Sequence, residues 1–386
     1  VGPRQAGKST AIWRYLADAD EPVLFIDCEQ GPVREWCRSA PLFLGDLEGL
    51  VPHPVTLFLE EAQNLDEAGL FLKGLVDRKP GVPILVTGSS SFHLHSRTRE
   101  SLAGRATRTR LFPFALSEVL SDVVDKKNAI RRRLTDERFQ RHLSIGGYPS
   151  VWLSATPETL LTDLVEAIIL RDASDLFRIG RPDAFRRLLR LAATQAGNRV
   201  NFSEWASILG VSRDTAATYA EILESSHVLS LLPPFVGGKR AEVTSAPKVF
   251  FIDSGVRNRI LHDFKPLGLR ADKGATLENW VFGELWKGLP EGATLHFWRS
   301  SSGAEVDFVV ARGEVVVGVE VKAEEVRRTG IPRAARSFIE AYSPRKFLFV
   351  NSALEAKERL GNTDVEWLLP AEIAERIEER FTPGSP

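Results

Sequence analysis

Gly2-Pro3-Arg4-Gln5-Ala6-Gly7-Lys8-Ser9 stands almost at the start of a 386-residue chain and fits G-x-x-x-x-G-K-[ST] at every position. Thr10 and the apolar Ala11-Ile12-Trp13 follow, so a helix is expected to open at the end of the loop. Glycines let backbone N–H groups close around a phosphate at the positive end of such a helix. Residues 2–10 are therefore read as the contact segment for ATP, with Lys8 neutralising the β- and γ-phosphates and the Ser9 hydroxyl ligating Mg²⁺. A chance glycine turn before a helix is the bland alternative, and the complete pattern weighs against it. The strand that normally leads into this loop is expected upstream of Val1. The absence of any methionine is consistent with further residues missing internally, which would shorten some spacings.

Outward from the loop, residues 23–26, 56–59 and 84–87 are short, almost continuous apolar runs, as strands buried on both faces are. Helical stretches separate them, which predicts an α/β unit with a parallel sheet over residues 1–117. The acids that serve magnesium and the attacking water belong at the end of a second strand. Asp27 competes with the pair Glu60-Glu61 for this role. The first strand after the loop helix is usually not the loop's neighbour, so Glu60 is read as orienting Mg²⁺ through water and Glu61 as positioning the attacking water. Asp27 is left as a strand-end residue. Past residue 87, Ser89 in Gly88-Ser89-Ser90-Ser91 either touches the γ-phosphate or completes a polar turn. Arg105 is a candidate arginine finger for a neighbouring subunit's nucleotide, which would imply a homo-oligomer; a surface arginine is the commoner case.

Residues 118–190 read as a helical lid or linker, broken at Gly146-Gly147-Tyr148-Pro149 by a hinge or cap. Arg131 to Arg133 and the group Arg186, Arg187 and Arg190 read as solvated helix faces before phosphate contacts. Over residues 191–265, a helix from Ser203, a turn at Leu209-Gly210-Val211-Ser212, a second helix and a strand at 228–232 have the proportions of a winged helix-turn-helix. Ser212 is expected to cap the second helix. A strand at 249–252 ends in Asp253-Ser254-Gly255. Residues 270–386 read as a second α/β unit of helix, two strands, helix and strand.

In that last unit, Glu305-Val306-Asp307-Phe308 is followed, after Gly313, by an apolar run and Glu320-Val321-Lys322. Alternation along a strand puts Glu320 and Lys322 on one face, with Asp307 beside them where the strands adjoin. Carboxylates gathered at one end of a sheet repel unless a divalent cation turns repulsion into coordination. Glu278 on the preceding helix would complete a metal site with Asp307 and Glu320, and Lys322 would activate water or stabilise developing charge. An ordinary ion pair on an amphipathic hairpin fits the same spacing.

Composition sets the frame: 43% hydrophobic and 26% charged residues describe a globular chain, and a net charge of −1 neither demands nor excludes a polyanionic partner. No apolar run reaches the roughly 20 residues of a membrane-spanning helix and no signal-peptide pattern opens the chain, so a cytoplasmic protein without a membrane partner is expected. Cys28 and Cys37 lack the spacing of a zinc site and read as reduced, buried filler.

Taken together, residues 2–10, 60–63, 88–90, 102–105, 146–149, 247–255, 277–279 and 298–322 resemble a prokaryotic family of AAA-like P-loop ATPases that carry a carboxy-terminal domain of unknown function. The resemblance covers nearly the whole chain. It implies an AAA-like core, a winged-helix segment and a final α/β domain resembling the PD-(D/E)xK, restriction-endonuclease-like fold. The nuclease positions would be Glu278, Asp307, Glu320 and Lys322, served by Mg²⁺ or Mn²⁺. The expected function is ATP hydrolysis controlling a region that binds double-stranded DNA and cuts it with a metal, with Arg213 reaching phosphate or base edges. The alternative is an ATP-gated module that binds a protein partner through an inactive nuclease-like fold. One departure stands out: Glu60 replaces the family's usual aspartate, so nucleotide binding should survive while hydrolysis slows.

Overall fold

Leu57, Phe58 and Leu59 are each at most 1% exposed, and the strand that carries them is the centre of the first sheet. The computed structural model describes residues 1–18, 21–50, 55–78, 82–88, 102, 104–123, 125–167, 179–237 and 246–381. Contacts divide the chain into one unit of Val1–Pro113 with Ser225–His227 and another of Phe114–Glu224 with Val228–Pro386.

In the first unit, β1 (Val23–Asp27), β2 (Thr56–Glu60) and β3 (Ile84–Val86) lie parallel in the order β1-β2-β3. Parallel strands need crossovers, and the helices α1 (Lys8–Leu16), α2 (Gly31–Trp36), α3 (Ala40–Leu50) and α4 (Ala68–Arg78) lie before and between them. One face of the sheet packs on Phe43, Leu47, Phe71 and Leu75. On the other, Trp13 of α1 meets Phe25 and Phe58 with ring centroids 5.3 Å away. Trp13 and Phe25 stay partly exposed while Phe58 is fully buried, and the three-ring contact fixes α1 against the strands whose ends carry the acids. Val1 donates to the Thr109 carbonyl at 2.8 Å and accepts from Leu111 N at 2.8 Å, the bond pattern of a parallel pair. Cys28 and Cys37 are free and buried. Burial pushes the Cys28 thiol up to about 12 and the Cys37 thiol up to about 11, so both stay protonated and inert.

The second unit opens with helices α5 (Asn128–Ile145), α6 (Pro157–Ala167), α7 (Pro182–Thr194), α8 (Phe202–Leu209), α9 (Arg213–Ser225) and α10 (Ser254–Leu261) around one core that includes Leu161, Leu188, Trp205 and Val256. Asn201 caps α8 by accepting from Ser203 N and Glu204 N. Gly210 closes α8 in the left-handed region, and Ser212 Oγ accepts from Thr215 N at 3.0 Å to cap α9. After α9 come β4 (Leu229–Leu232) and β5 (Lys248–Phe251), an antiparallel pair. The break at 146–149 is a cap: Gly146 ends α5, and Gly147 N donates to Asp253 Oδ2 at 2.8 Å. Asp253 Oδ1 also accepts from Val256 N, so one carboxylate joins the end of α5 to the start of α10. The arginines of α7 behave as solvated face residues, Arg186 pairing with Glu166 and Arg187 with Asp183.

Helix α11 (Lys273–Lys287) precedes a six-stranded sheet of β6 (Thr294–Arg299), β7 (Glu305–Arg312), β8 (Val315–Lys322), β9 (Lys346–Asn351), β10 (Ala356–Leu360) and β11 (Thr363–Leu368), in the order β10-β11-β9-β8-β7-β6. β6, β7 and β8 are antiparallel neighbours, while β8 and β9 run parallel. The parallel step is made through α12 (Arg333–Tyr342), whose Phe338 and Ile339 pack on Trp298 and Phe347. Helix α13 (Ile373–Phe381) follows. The sheet has three strands more than the sequence reading anticipated, β6 and the hairpin β10–β11.

Gly255 lies in the first turn of α10, where a Cβ would stand 2.0 Å from the Ile145 carbonyl oxygen. That obstacle is main chain and cannot rotate away. Gly255→Ala is expected to destabilise the protein by about 3 kcal/mol, against about 1 kcal/mol for loss of the cap in Ser212→Ala. Denaturant unfolding of both variants checks the ranking, and equal losses would contradict it.

Candidate functional site

The loop ends at Gly7, whose φ of 88° only glycine adopts without strain, and α1 begins at the next residue. Lys8 is 8% exposed. Its Nζ donates to the Gly2 carbonyl at 3.2 Å and the Pro3 carbonyl at 2.8 Å, so the loop folds back over its own ammonium group. Ser9 Oγ donates to Glu60 Oε1, which joins the start of α1 to the end of β2. Asp27, the other candidate, spends its carboxylate on its own turn, accepting from Glu29 N and Gln30 Nε2 at 3.0 Å each.

Glu61 has φ 52°, a left-handed conformation that costs a non-glycine residue about 1–2 kcal/mol. The neighbouring strand end holds it there: Glu61 N donates to Thr87 Oγ1 at 3.1 Å and Ala62 N to the Thr87 carbonyl at 2.9 Å. Gln63 Nε2 donates to Glu61 Oε2 at 2.6 Å, which aims the carboxylate. Thr87, 3% exposed, was missed by the sequence reading, which looked one turn further on; a lone threonine ending an apolar strand was the available signal. Ser89 and Ser90 lie outside the described residues. Arg105 forms an ion pair with Asp77 of α4 in its own unit. A cavity of about 640 Å³ lies beside Lys8, Ala11 and Ile12, walled by β3 and residues 104–111, a size common among small-molecule sites.

The second cluster is built where β7 and β8 part. Their pairing is regular as far as Phe308 and Val319. One step beyond, Asp307 Oδ2 takes over as the partner of β8 by accepting from Val321 N at 2.8 Å. Lys322 Nζ donates to Glu320 Oε1 at 2.7 Å, on the shared face that strand alternation requires. Burial, then the nearby Asp307 charge, pushes Glu320 up to about 7 against the pull of Lys322. The same two causes push Glu278 up to about 8 against Lys248. Burial also raises Asp307.

Lys248 was not anticipated. It stands in β5 at 4% exposure, with Nζ 2.6 Å from Glu305 Oε1 and 3.3 Å from Glu278 Oε1. Burial opposes its charge, but Glu278, Asp307 and Glu305 together hold the ammonium above its ordinary range. Glu305 is shared with Arg299 Nη1 at 2.7 Å. A lysine inside the otherwise apolar run Val249-Phe250-Phe251 was the signal in the sequence. Glu278, Asp307, Glu320 and Lys322 are thus brought into one electrostatic cluster. The expected ligand set is corrected, however: among the described residues, no three Asp, Glu, His or Cys side chains are arranged to hold a metal ion. Lys248 lies between the acids, and Asp307 is turned to a backbone amide.

Three family models match successive stretches of the chain. Residues 1–120 match an AAA domain, residues 136–269 a domain of unknown function (DUF8612) and residues 273–373 another (DUF4143). Over 380 residues the chain is 27% identical to an uncharacterized protein of Mycobacterium tuberculosis, spanning 96% of this chain and 79% of that one. It is 25% identical over 331 residues to an uncharacterized protein of Methanocaldococcus jannaschii, 81% and 72% of the two chains. Among solved structures, the Thermotoga maritima RuvB Holliday junction branch migration motor is 17% identical over 60% of this chain and 80% of its own, with a TM-score of 0.28. The amino-terminal segment is thus similar to AAA domains. No helix among the described residues is long and apolar enough to cross a membrane.

Because Glu278 is raised to about 8 in the folded chain, its proton favours folding, and this contribution is lost as pH climbs from the ordinary glutamate range through 8. Glu278→Gln, permanently neutral, removes the dependence. Melting curves should show the two proteins alike near pH 4 and wild type weaker than the variant by at least about 1 kcal/mol near pH 9. Parallel curves across that range would contradict the shift.

Proposed function

We propose that this chain binds and hydrolyses ATP on residues 2–10 and that its nucleotide state controls a carboxy-terminal binding region. The observation that carries the reading is the enclosed Lys8 ammonium, met by the carbonyls of Gly2 and Pro3, beside a serine hydroxyl already joined to a strand-end carboxylate. The loop amides and the start of α1 would cradle the β-phosphate. Lys8 would exchange its carbonyl partners for phosphate oxygens. Ser9 and Glu60 are hard oxygen donors side by side and fit Mg²⁺, which when bound supplies charge neutralisation at the phosphates. Glu61, held by Thr87 and aimed by Gln63, would orient the attacking water. Arg105 serves a neighbouring subunit in this reading only by leaving Asp77.

Beyond the ATPase core we divide the chain as 118–190, a helical lid; 191–265, a winged helix-turn-helix; and 270–386, a nuclease-like fold. Arg213, exposed at the start of α9, would reach phosphate on duplex DNA. The gathering of Asp307, Glu320 and Lys322 at a strand junction is the pattern that the nuclease-like resemblance implies. The lysine lodged among the acids supports the binding module instead.

Lys8→Ala should abolish ATP turnover and weaken nucleotide binding at least tenfold. Thr87→Val should lower turnover at least tenfold with nucleotide affinity within about threefold of wild type, because its hydroxyl holds Glu61 rather than phosphate. Phosphate-release assays and nucleotide titration separate the two, and unchanged turnover in Lys8→Ala removes the ATPase reading. Titrating salt against duplex DNA should give a steep loss of affinity if phosphates are contacted; a flat response favours a protein partner.

A further inference from the structure

The nuclease-like resemblance asks for a divalent cation at Glu278, Asp307 and Glu320, and the side chains there do not fit one. Lys248 Nζ lies 2.6 Å from Glu305 and 3.3 Å from Glu278. The same ammonium stands 5.5 Å from the centroid of the Phe297 ring. Asp307 gives one oxygen to Val321 N, and Glu320 gives one to Lys322. Four carboxylates, Glu278, Glu305, Asp307 and Glu320, thus face three cations, Lys248, Arg299 and Lys322. A divalent ion entering this group would overfill it with positive charge and would have to take Glu278 from Lys248. Lys248 is also clamped from behind. Asn279 of α11 accepts from Phe251 N at 2.8 Å and donates to the Phe251 carbonyl at 3.1 Å, and Phe250 stacks on Phe282 at 4.7 Å. The strand that carries the lysine therefore has both backbone and side-chain ties to the helix that carries Glu278.

We propose that Lys248 is a built-in cation serving this cluster in place of a divalent metal, and that its removal lets Glu278, Asp307 and Glu320 close on a metal ion. The unused acceptor for such an ion is present: Glu320 is 8% exposed and its Oε2 has no hydrogen-bond partner among the described residues. An uncharged side chain at position 248 leaves the acids with only two cations, an excess of negative charge that hard divalent ions relieve. The inference deepens the binding-module reading of the carboxy-terminal region and is independent of ATP hydrolysis, which is assayed separately.

The test is Mn²⁺ binding to the full chain without nucleotide, followed by the electron paramagnetic resonance signal of the free ion. Wild type and Asp307→Asn should give coincident curves. Lys248→Met should bind one further Mn²⁺ per chain at least tenfold more tightly than wild type, and the double variant Lys248→Met with Asp307→Asn should lose it. Lys248→Arg, which keeps the charge, should behave as wild type. A wild-type Mn²⁺ site that disappears in Asp307→Asn overturns the proposal whether or not Lys248→Met folds. So does a Lys248→Met protein with a wild-type circular dichroism spectrum and no added site. Either result would leave the ATPase measurement untouched, and loss of ATPase in the wild type would leave this one untouched.

Discussion

An ammonium group taken out of water has to be met by oxygen, because an unpaired buried charge costs several kcal/mol. Among the described residues, Lys287, Lys248 and Lys8 are placed under that requirement, and each is met differently. Lys287 is satisfied within its own helix and neighbourhood, by Glu284 and the Phe114 carbonyl. Lys248 is surrounded by carboxylates, which neutralise it fully. Lys8 has two backbone carbonyls, which carry dipoles and no net charge. A phosphate oxygen, which carries charge where a carbonyl carries only a dipole, competes with these carbonyls for the ammonium.

The same logic explains why chemistry sits at strand ends. Inside a buried parallel sheet every backbone group is paired and the side chains are apolar, so polar groups enter only where strands stop. Glu60 and Thr87 are such endings in the first sheet, and α1, fixed by Trp13 on Phe25 and Phe58, brings Ser9 to them. In the second sheet, β7 and β8 part at Asp307 and Glu320, and the side chain of Asp307 replaces the lost ladder bond. A strand end that ties up its carboxylate in this way gives rigidity, and it withdraws one of the oxygens a metal would use.

What the sequence made legible was whatever depends on local pattern. The loop motif, the three strands of the first sheet and the cap at Ser212 follow from residue type and period, although only β2 is buried on both faces. The pairing of Lys322 with Glu320 follows from alternation alone. Long-range partners were hidden. Nothing in the order of residues says that Lys248 in β5 meets Glu278 and Glu305, thirty and fifty-seven positions further on in the numbering of the chain, or that Thr87 holds Glu61 in the left-handed region. β10, with Lys357, Glu358 and Arg359 in its middle, was also missed, because an edge strand exposed to water need not be apolar. β6 was obscured by a register shift between His296 and Trp298 that breaks its alternation.

The account stands on the phosphate loop, and a crystal structure of the chain with Mg²⁺ and a non-hydrolysable ATP analogue addresses it most directly. Lys8 Nζ should have left the carbonyls of Gly2 and Pro3 for the β- and γ-phosphate oxygens, with the loop amides on the β-phosphate and Ser9 Oγ on the metal. A loop still closed on its own lysine at saturating analogue, or a nucleotide bound elsewhere, would contradict it.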